Sequence, residues 1–368
     1  MNIVHLVSNK VWGGGERYAL DLCCEALAQG HRVMAYTRRI EAVMQPFIAA
    51  GIATATLPLR GAFDIVTPLK LSKALDRLCA ADSAEPTIVH VHNFKDAGSA
   101  ISARRLMTHP ERVKIVCTRH LVKPAKTTRS ATVRYRALDA IIFVSQLAKE
   151  AFMKSNPDVD TAKIHVVPNS IRLPHPIAPM TRGDDTGGVN LLYVGRIHPE
   201  KGLDTLVRAL DRLRDISDLS LRVCGTGSSR DVMPVVRLAR GLDVDKRIAW
   251  LGHVDDVYAE MRRADIGILP SVAPESSGLV LLEYMMHSLP AVTTDSGAQK
   301  EIITDGDTGR IVAAGDDSAL ADALRQLITD AELRREMGAR AYATFAKRYA
   351  YDKFFAAIMQ IYHNPTAL

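Results

Sequence analysis

No apolar run in this chain approaches the roughly 20 residues that a helix needs to span a bilayer, so no membrane-spanning segment is expected. The opening run Met1–Val7 is apolar but short, and it ends at polar Ser8 and Asn9. No long apolar core or cleavage site follows, so it reads as a first strand and not as a signal peptide. Cysteine is sparse. Cys23, Cys24, Cys79, Cys117 and Cys224 show no paired spacing for a metal. Cys23 and Cys24 adjoin on a helical pattern, while Cys117 and Cys224 lie in apolar runs. They read as buried reduced thiols of a cytosolic protein. There is no low-complexity tract, and 47% hydrophobic with 24% charged residues is the composition of a globular chain. At 368 residues the chain is too long for one ordinary core, so two domains are expected.

Acidic residues are scarce in one place. The net charge is +6, and much of the excess lies between Arg104 and Arg136. Arg104, Arg105, Arg112, Lys114, Arg119, Lys123, Lys126, Arg129, Arg134 and Arg136 face only Glu111 there. A solvated surface is the plain reading. A patch for anionic lipid headgroups or a phosphorylated acceptor is the sharper one. Nucleic acid is disfavoured, because Tyr135 is the only aromatic in the stretch and no binding motif accompanies it.

The chain itself alternates apolar runs with helical patterns. Ile3–Val7, Val33–Tyr36, Ile88–Val91, Ile115–Cys117 and Ala140–Val144 read as buried strands, with helices at Glu16–Gln29 and Leu69–Ala80. This order implies a parallel sheet covered on both faces. The proline-dense stretch Leu173–Pro179 and the Gly/Asp-rich stretch Gly183–Gly188 read as an interdomain connection. A second alternation follows. Its strands are Leu191–Val194, Ser220–Cys224, Ile248–Leu251, Ile266–Leu269 and Ala291–Thr293. Its helices are Leu203–Arg214, Val232–Gly241, Asp256–Arg263 and Leu279–Met286, then Ala319–Thr329 and Ala331–Lys347. The expected organisation is a first doubly wound domain over 1–172, a linker over 173–188, a second domain over 189–347 and a terminal helical segment over 348–368. That segment, Tyr351–Met359, carries an apolar helical face suited to docking. Ligands of such sheets sit beyond the carboxyl ends of the strands.

The motifs fall at those ends. Glu275 and Glu283 flank a small, flexible run and the start of a helix, just after the strand Ile266–Leu269. Two carboxylates around the unpaired N–H groups of a helix start suit a sugar joined to a nucleoside diphosphate. Arg196 and Lys201 bracket a loop after another strand exit, where two cations would neutralise a departing diphosphate. Gly13-Gly14-Gly15-Glu16 follows the first strand. It is a tight turn or a phosphate approach, and it is not the G-x-G-x-x-G of dinucleotide sites. Gly225–Ser228 and Gly252–Val254 are further loops at strand ends, each readable as an ordinary turn or as a nucleobase cradle. His120 ends a strand as a hydrogen-bonding or proton-handling candidate, with an ordinary buried histidine the plainer reading. His90 and His92 rival it. Their spacing invites a metal, but the sequence shows no third ligand.

Together these residues resemble the retaining nucleotide-sugar glycosyltransferases of family four, the group 1 glycosyltransferases. The resemblance is strongest from Tyr193 to Val312, through Gly195-Arg196-Ile197-His198-Pro199-Glu200-Lys201-Gly202 and the Glu275/Glu283 pair. Gly13–Glu16, Val144-Ser145 with Lys149-Glu150, and Val167–Ser170 add to it. It implies an α/β GT-B architecture: two Rossmann-like domains with an interdomain cleft, the donor held mainly by the second, and a C-terminal helix returning to the first. It implies that Arg196 and Lys201 bind the donor diphosphate, that Glu275 contacts the transferred sugar and that Glu283 binds the ribose. Gly278, Leu279 and Val280 would offer N–H groups to the phosphate, and Val254 would touch the base. His120 would face the sugar from the first domain, with Gly14 and Gly15 near the diphosphate. Two departures stand out: Ser277, where a bulkier residue is common, and Gly297-Ala298 in place of a Gly-Gly pair.

The expected chemistry is retaining transfer to a glycan or lipid-linked acceptor, without a protein nucleophile or cofactor. A divalent metal is not implied. Asp158/Asp160 and Asp243/Asp245 lie away from the donor motifs, and Asp305-Gly306-Asp307 reads as a turn. A chain acting at the inner membrane face on a lipopolysaccharide-type glycan agrees with the basic stretch, and a soluble acceptor fits almost as well. A sugar-nucleotide epimerase on the same fold and an inactive sugar-nucleotide-binding homologue are the alternatives.

Overall fold

The computed structural model describes residues 1–61, 64–81, 85–155, 157–173 and 187–366. The expected linker falls mostly on 174–186, which lie outside the described residues. The chain divides into two units, Met1–Arg172 with Tyr351–Leu368 and Leu173–Ala350.

The first unit runs β1 (Asn2–Val7), α1 (Gly14–Ala28), β2 (Arg32–Thr37), α2 (Glu41–Ala49), β3 (Ala53–Thr56), α3 (Val66–Ala81), β4 (Thr87–Val91), α4 (Phe94–Arg105), β5 (Val113–Arg119), α5 (Arg129–Ala137), β6 (Ala140–Phe143), α6 (Gln146–Met153) and β7 (Ile164–Val166). Its strands form one sheet in the order β3-β2-β1-β4-β5-β6-β7, and every pairing is parallel. Strand alternation sends Val4 and Leu6 of β1 into one apolar layer and Ile3 and Val7 into the other. The order reverses at β1, between β2 and β4, which is where sheets of this kind gather ligands.

The second unit runs β8 (Val189–Val194), α7 (Leu203–Asp211), β9 (Leu219–Cys224), α8 (Ser229–Gly241), β10 (Ile248–Gly252), α9 (Val257–Arg263), β11 (Ile266–Leu269), α10 (Leu279–Met286), β12 (Ala291–Thr294), α11 (Gln299–Ile302), β13 (Gly309–Val312), α12 (Asp317–Thr329) and α13 (Ala331–Arg348). Its sheet order is β10-β9-β8-β11-β12-β13. These pairings are parallel too, and the order reverses at β8. Many helices start at side-chain caps. Asn93, Ser145, Asp256, Asp316 and Asp330 each accept a backbone N–H of the first turn.

The last helix, α14 (Tyr351–His363), belongs to the first unit. Its apolar face docks against α1: Phe354, Phe355, Ile358, Ile361 and Tyr362 share a buried cluster with Tyr18, Leu22 and Cys23. Each such side chain contributes about 1.5–3 kcal/mol on burial, which offsets the entropy of ordering a chain end. Both units are therefore doubly wound Rossmann-like α/β layers. Among the described residues no helix is long and apolar enough to cross a membrane. The cysteines are all unpaired, and all but Cys24 are buried.

Candidate functional site

In the second unit the loops after β8, β9, β10 and β11 lock together through backbone. Gly195 N–H donates to Cys224 O at 3.0 Å, Ile197 N–H to Thr226 O at 2.8 Å, and Gly225 N–H to Gly252 O at 2.7 Å. A side chain at Gly225 or Gly227 would overlap the carbonyls of Gly195 and Ile197. These glycines thus permit backbone contact at the sheet's switch point.

Arg196 follows β8 and is exposed. Its carbonyl accepts the Tyr193 hydroxyl at 2.9 Å, which anchors the loop. Pro199–Lys201 form a 3-10 turn, and Gly202 follows in the left-handed region at φ +64°, where a side chain would strike Pro270 O. The carbonyl of Glu200 accepts N–H groups of Val272 and Ala273 at 2.9 and 3.2 Å. The turn is therefore tied to the loop that carries Glu275.

That tie brings the two charges together. Lys201 Nζ donates to Glu275 Oε1, and both side chains are largely shielded, at 24% and 17% exposure. The Ser271 hydroxyl donates to the same oxygen at 2.6 Å. One carboxylate oxygen of Glu275 is thus held from two sides. The helix α10 starts just beyond, capped by Gly278 in the left-handed region (φ +53°, ψ 54°). Leu279 and Val280 are its first two residues, so their N–H groups are not consumed by the helix ladder. Glu283 lies one turn further and is half-buried.

Tyr284 sets where α10 sits. Its hydroxyl donates to Leu192 O and accepts Val194 N–H, both at 3.1 Å. Its ring lies flat against Gly267 of β11, where any side chain would overlap it. Val254 is half-buried in the loop after β10. The sequence-predicted residues Arg196, Lys201, Val254, Glu275, Gly278, Leu279, Val280 and Glu283 all fall at one edge of this sheet, and direct contact joins Lys201 to Glu275. Sequence reading missed Ser271, Thr294, Ser296 and Gln299, which support the Glu275 loop.

In the first unit His120 follows β5 directly, because that strand extends to Arg119 and not only to Cys117. Gly14 and Gly15 open α1, and a side chain on Gly15 would lie 3.7 Å from His120 Cδ2. The Tyr18 ring meets His120 edge-on at 4.9 Å. Behind it the structure supplies the third histidine that the sequence did not show: His5 pairs in register with His90 across β1 and β4. Some nitrogens of these histidines are engaged with one another and with hydroxyls, while His5 Nε2 and His92 Nδ1 are buried without a partner among the described residues. His5 Nδ1 meets His92 Nε2 at 2.9 Å, with the rings only 11° apart. His90 meets Tyr362 Oη at 2.6 Å and Thr118 Oγ1 at 2.7 Å. With both His90 nitrogens so placed, a metal would have to displace at least one hydroxyl. Burial lowers all four histidines, His5 to about 3 and His120 to about 4, and His90 and His92 also feel the neighbouring rings. The group is neutral at pH 7. At the same end of the sheet, Ser8 donates to buried Asp96, whose carboxyl burial raises to about 6.

The basic stretch is less uniform in space than in sequence. Arg104 pairs with Asp139 at 2.5 Å and Arg136 with Asp158, both acids lying outside the stretch. Lys114 donates to His363 O at 2.7 Å, and Arg119 lies 4.8 Å over the Phe152 ring. Arg105, Lys123, Lys126 and Arg129 are exposed. In the second unit, Asp305 and Asp307 sit in a turn with Gly306 at φ +76° and pair with Arg310 and Arg340 at 3.9 and 2.9 Å.

Residues 183–344 match the family described as glycosyl transferases group 1. Residues 12–173 match glycosyltransferase family 4. The chain is similar to a phosphatidyl-myo-inositol mannosyltransferase of Mycobacterium leprae, at 29% identity over 96% of this chain and 93% of that one. A glycosyltransferase structure from Rickettsia africae superposes with a TM-score of 0.85 at 20% identity, covering 99% of this chain and 98% of that one. Anabaena HepE in complex with UDP gives a TM-score of 0.81 at 17% identity, covering 98% and 99%. With both units matched in order and the same two-sheet fold in its neighbours, the chain belongs to the glycosyl transferases group 1, the family 4 glycosyltransferases of GT-B fold.

Proposed function

We propose that the chain is a retaining glycosyltransferase that moves a sugar from a nucleoside-diphosphate sugar to a glycan or lipid-linked acceptor. The observation that carries this reading is the Lys201–Glu275 contact, just ahead of the α10 N-terminus. A cation, an oriented carboxylate and unpaired helix N–H groups in one place are what a sugar diphosphate requires. Lys201 and Arg196 take up the charge of the departing diphosphate, helped by the N–H groups of Gly278, Leu279 and Val280. Glu275 orients the sugar hydroxyls with the oxygen that Lys201 and Ser271 leave open. Glu283 binds the ribose, and Val254 lies against the base. In the first unit, His120, Gly14 and Gly15 are the residues that the family resemblance assigns to the sugar and diphosphate. Neutral His120 donates or accepts a hydrogen bond without adding charge.

In the transfer step the bond between the anomeric carbon and the diphosphate oxygen breaks. The acceptor oxygen bonds to that carbon on the same face, and its proton passes to the leaving phosphate oxygen. No protein nucleophile takes part, and no cofactor or metal is required. For the acceptor, the exposed Lys123, Lys126 and Arg129 support an anionic surface such as a lipid headgroup. The mycobacterial relative is named a phosphatidyl-myo-inositol mannosyltransferase.

A panel of sugar nucleotides screened by thermal shift tests the donor, since a ligand of the native state raises apparent stability. UDP-sugars come first, because HepE holds UDP. Proton NMR of the reaction then reads the anomeric configuration. Retention, with turnover that depends on acceptor, is expected. Inversion, or conversion of the sugar nucleotide in the absence of any acceptor, would refute the proposal.

A further inference from the structure

The Glu275 loop is held in place by a segment that carries no expected site residue. Thr294 ends β12, and Ser296, Gly297, Ala298 and Gln299 lead into α11. The Thr294 hydroxyl donates to Ser271 O at 2.5 Å, and the Ser296 hydroxyl donates to Ala273 O at 3.1 Å. Ala298 N–H donates to Glu275 O at 2.8 Å. Gly297 lies flat on the Glu275 backbone, and a side chain there would overlap both its nitrogen and its carbonyl oxygen. Ala298, beside it, is buried. The first glycine of the usual pair is therefore the one that the contact demands.

Gln299 ties this segment together. It is fully buried, and its Nε2 lies 2.9 Å from Ser296 Oγ and 3.4 Å from Thr294 Oγ1. The two hydroxyls lie 3.1 Å apart, and with their protons on the loop carbonyls they accept from Gln299. Only an amide NH2, with two protons, serves both. The reverse amide orientation would set a carbonyl oxygen against two hydroxyl oxygens that have no proton to offer. In this arrangement the Gln299 amide donates to the hydroxyls, the hydroxyls to Ser271 O and Ala273 O, and Ser271 Oγ to Glu275, while Gln299 Oε1 is left without a partner among the described residues.

We propose that Gln299 is a positioning residue for Glu275. It acts through Thr294, Ser296 and Ser271, and it sets the direction in which Glu275 presents its remaining carboxylate oxygen to the donor sugar. The proposal rests on Glu275 facing that sugar. Gln299→Glu tests it with almost no change of shape, because a carboxylate can donate to neither hydroxyl and a protonated carboxyl has one proton where the amide has two. Donor kcat is expected to fall by about tenfold or more, because hydrogen-bond geometry near the reacting sugar matters most in the transition state. Affinity for the free nucleoside diphosphate should stay within about threefold, since that ligand does not depend on Glu275. Ser296→Ala should lower kcat in the same way, and Ser296→Thr should restore it. The double variant Ser296→Ala/Gln299→Ala should be little worse than Gln299→Ala alone, because the two residues act in one chain.

Unchanged kcat in Gln299→Glu, or a loss shared equally by nucleoside-diphosphate affinity, would overturn the proposal. A crystal structure of Gln299→Glu gives a readout independent of turnover. The Glu275 carboxylate should leave Ser271 Oγ. If it stays, the positioning claim fails whatever the substrate proves to be. If it moves while the wild type transfers no sugar, it is the glycosyltransferase reading that fails.

Discussion

Acidification should unfold this protein through its first unit, and the buried histidines set the pH window. His5 and His90 are fully enclosed, and His92 is 8% exposed. Burial lowers His5 to about 3 and His120 to about 4, with His90 and His92 shifted in the same direction. An unfolded histidine titrates near 6.5, so below that pH the unfolded chain binds protons that the folded chain refuses. The stability from these groups is complete above about pH 7 and is lost as pH falls from 6.5 toward the folded values. At about 1.36 kcal/mol per pH unit, His5 and His120 each lose about 2 kcal/mol by pH 5. Asp96 works the other way. Raised to about 6 by burial, it is protonated in the folded state at pH 5 and offsets roughly 1 kcal/mol. Glu16 and Asp21, also raised by burial, add to that offset. Comparison with a variant separates these contributions. Urea unfolding of wild type and His5→Asn at pH 8, 7, 6 and 5 should show the wild type losing about 2 kcal/mol more than the variant between pH 8 and pH 5. A domain's total stability is only about 5–15 kcal/mol, so this difference is measurable. Parallel pH dependence in the two proteins would refute the claim that His5 is held neutral.

Gly267→Ala should destabilise the second unit by about 1–3 kcal/mol, because the new methyl group overlaps the Tyr284 ring; urea unfolding measures it, and an unchanged midpoint would mean that the ring is not fixed there. The triple variant Lys123→Ser/Lys126→Ser/Arg129→Ser should bind anionic vesicles more weakly than wild type at low salt, and both should release at high salt. Equal co-sedimentation of the two proteins would exclude these side chains as the contact.

Much of the fold was legible because its central strands are continuous apolar runs. β11 and α10 were read to the residue: Ile266–Leu269 ends at Pro270, and Gly278 stands before Leu279–Met286. The elements that escaped carry weak periodicity. β3 is Ala53–Thr56, an edge strand of small, half-exposed residues, and β13 at Gly309–Val312 is the opposite case of a short edge strand with a polar member. Half of helix α4 is alanine, serine and glycine and it shows little amphipathic contrast, and α5 is mostly polar. The predicted helix Leu203–Arg214 ends earlier, at Asp211.

The charged members of the candidate site could be found from sequence because glycines and strand ends frame them. Its supports could not. Ser271, Thr294, Ser296 and Gln299 are ordinary polar residues until β11 and β12 pair and bring their loops together. His5 was hidden inside an apolar strand. The signal that would have exposed it is the parallel register of β1 and β4, which sets His5 beside His90. The basic stretch misled in the other direction, because Asp139 and Asp158 reach it only after folding.

The central claim is that Lys201, Glu275 and the α10 N-terminus form a donor site for a nucleoside-diphosphate sugar. Calorimetric titration of a UDP-sugar, or of whichever donor the thermal-shift panel identifies, into wild type, Lys201→Ala and Glu283→Ala tests it most directly. Binding to wild type is expected, weakened by about tenfold or more in each variant, since each removes a charged hydrogen-bond partner worth about 1.5–3 kcal/mol. Equal affinity across the three proteins would contradict it.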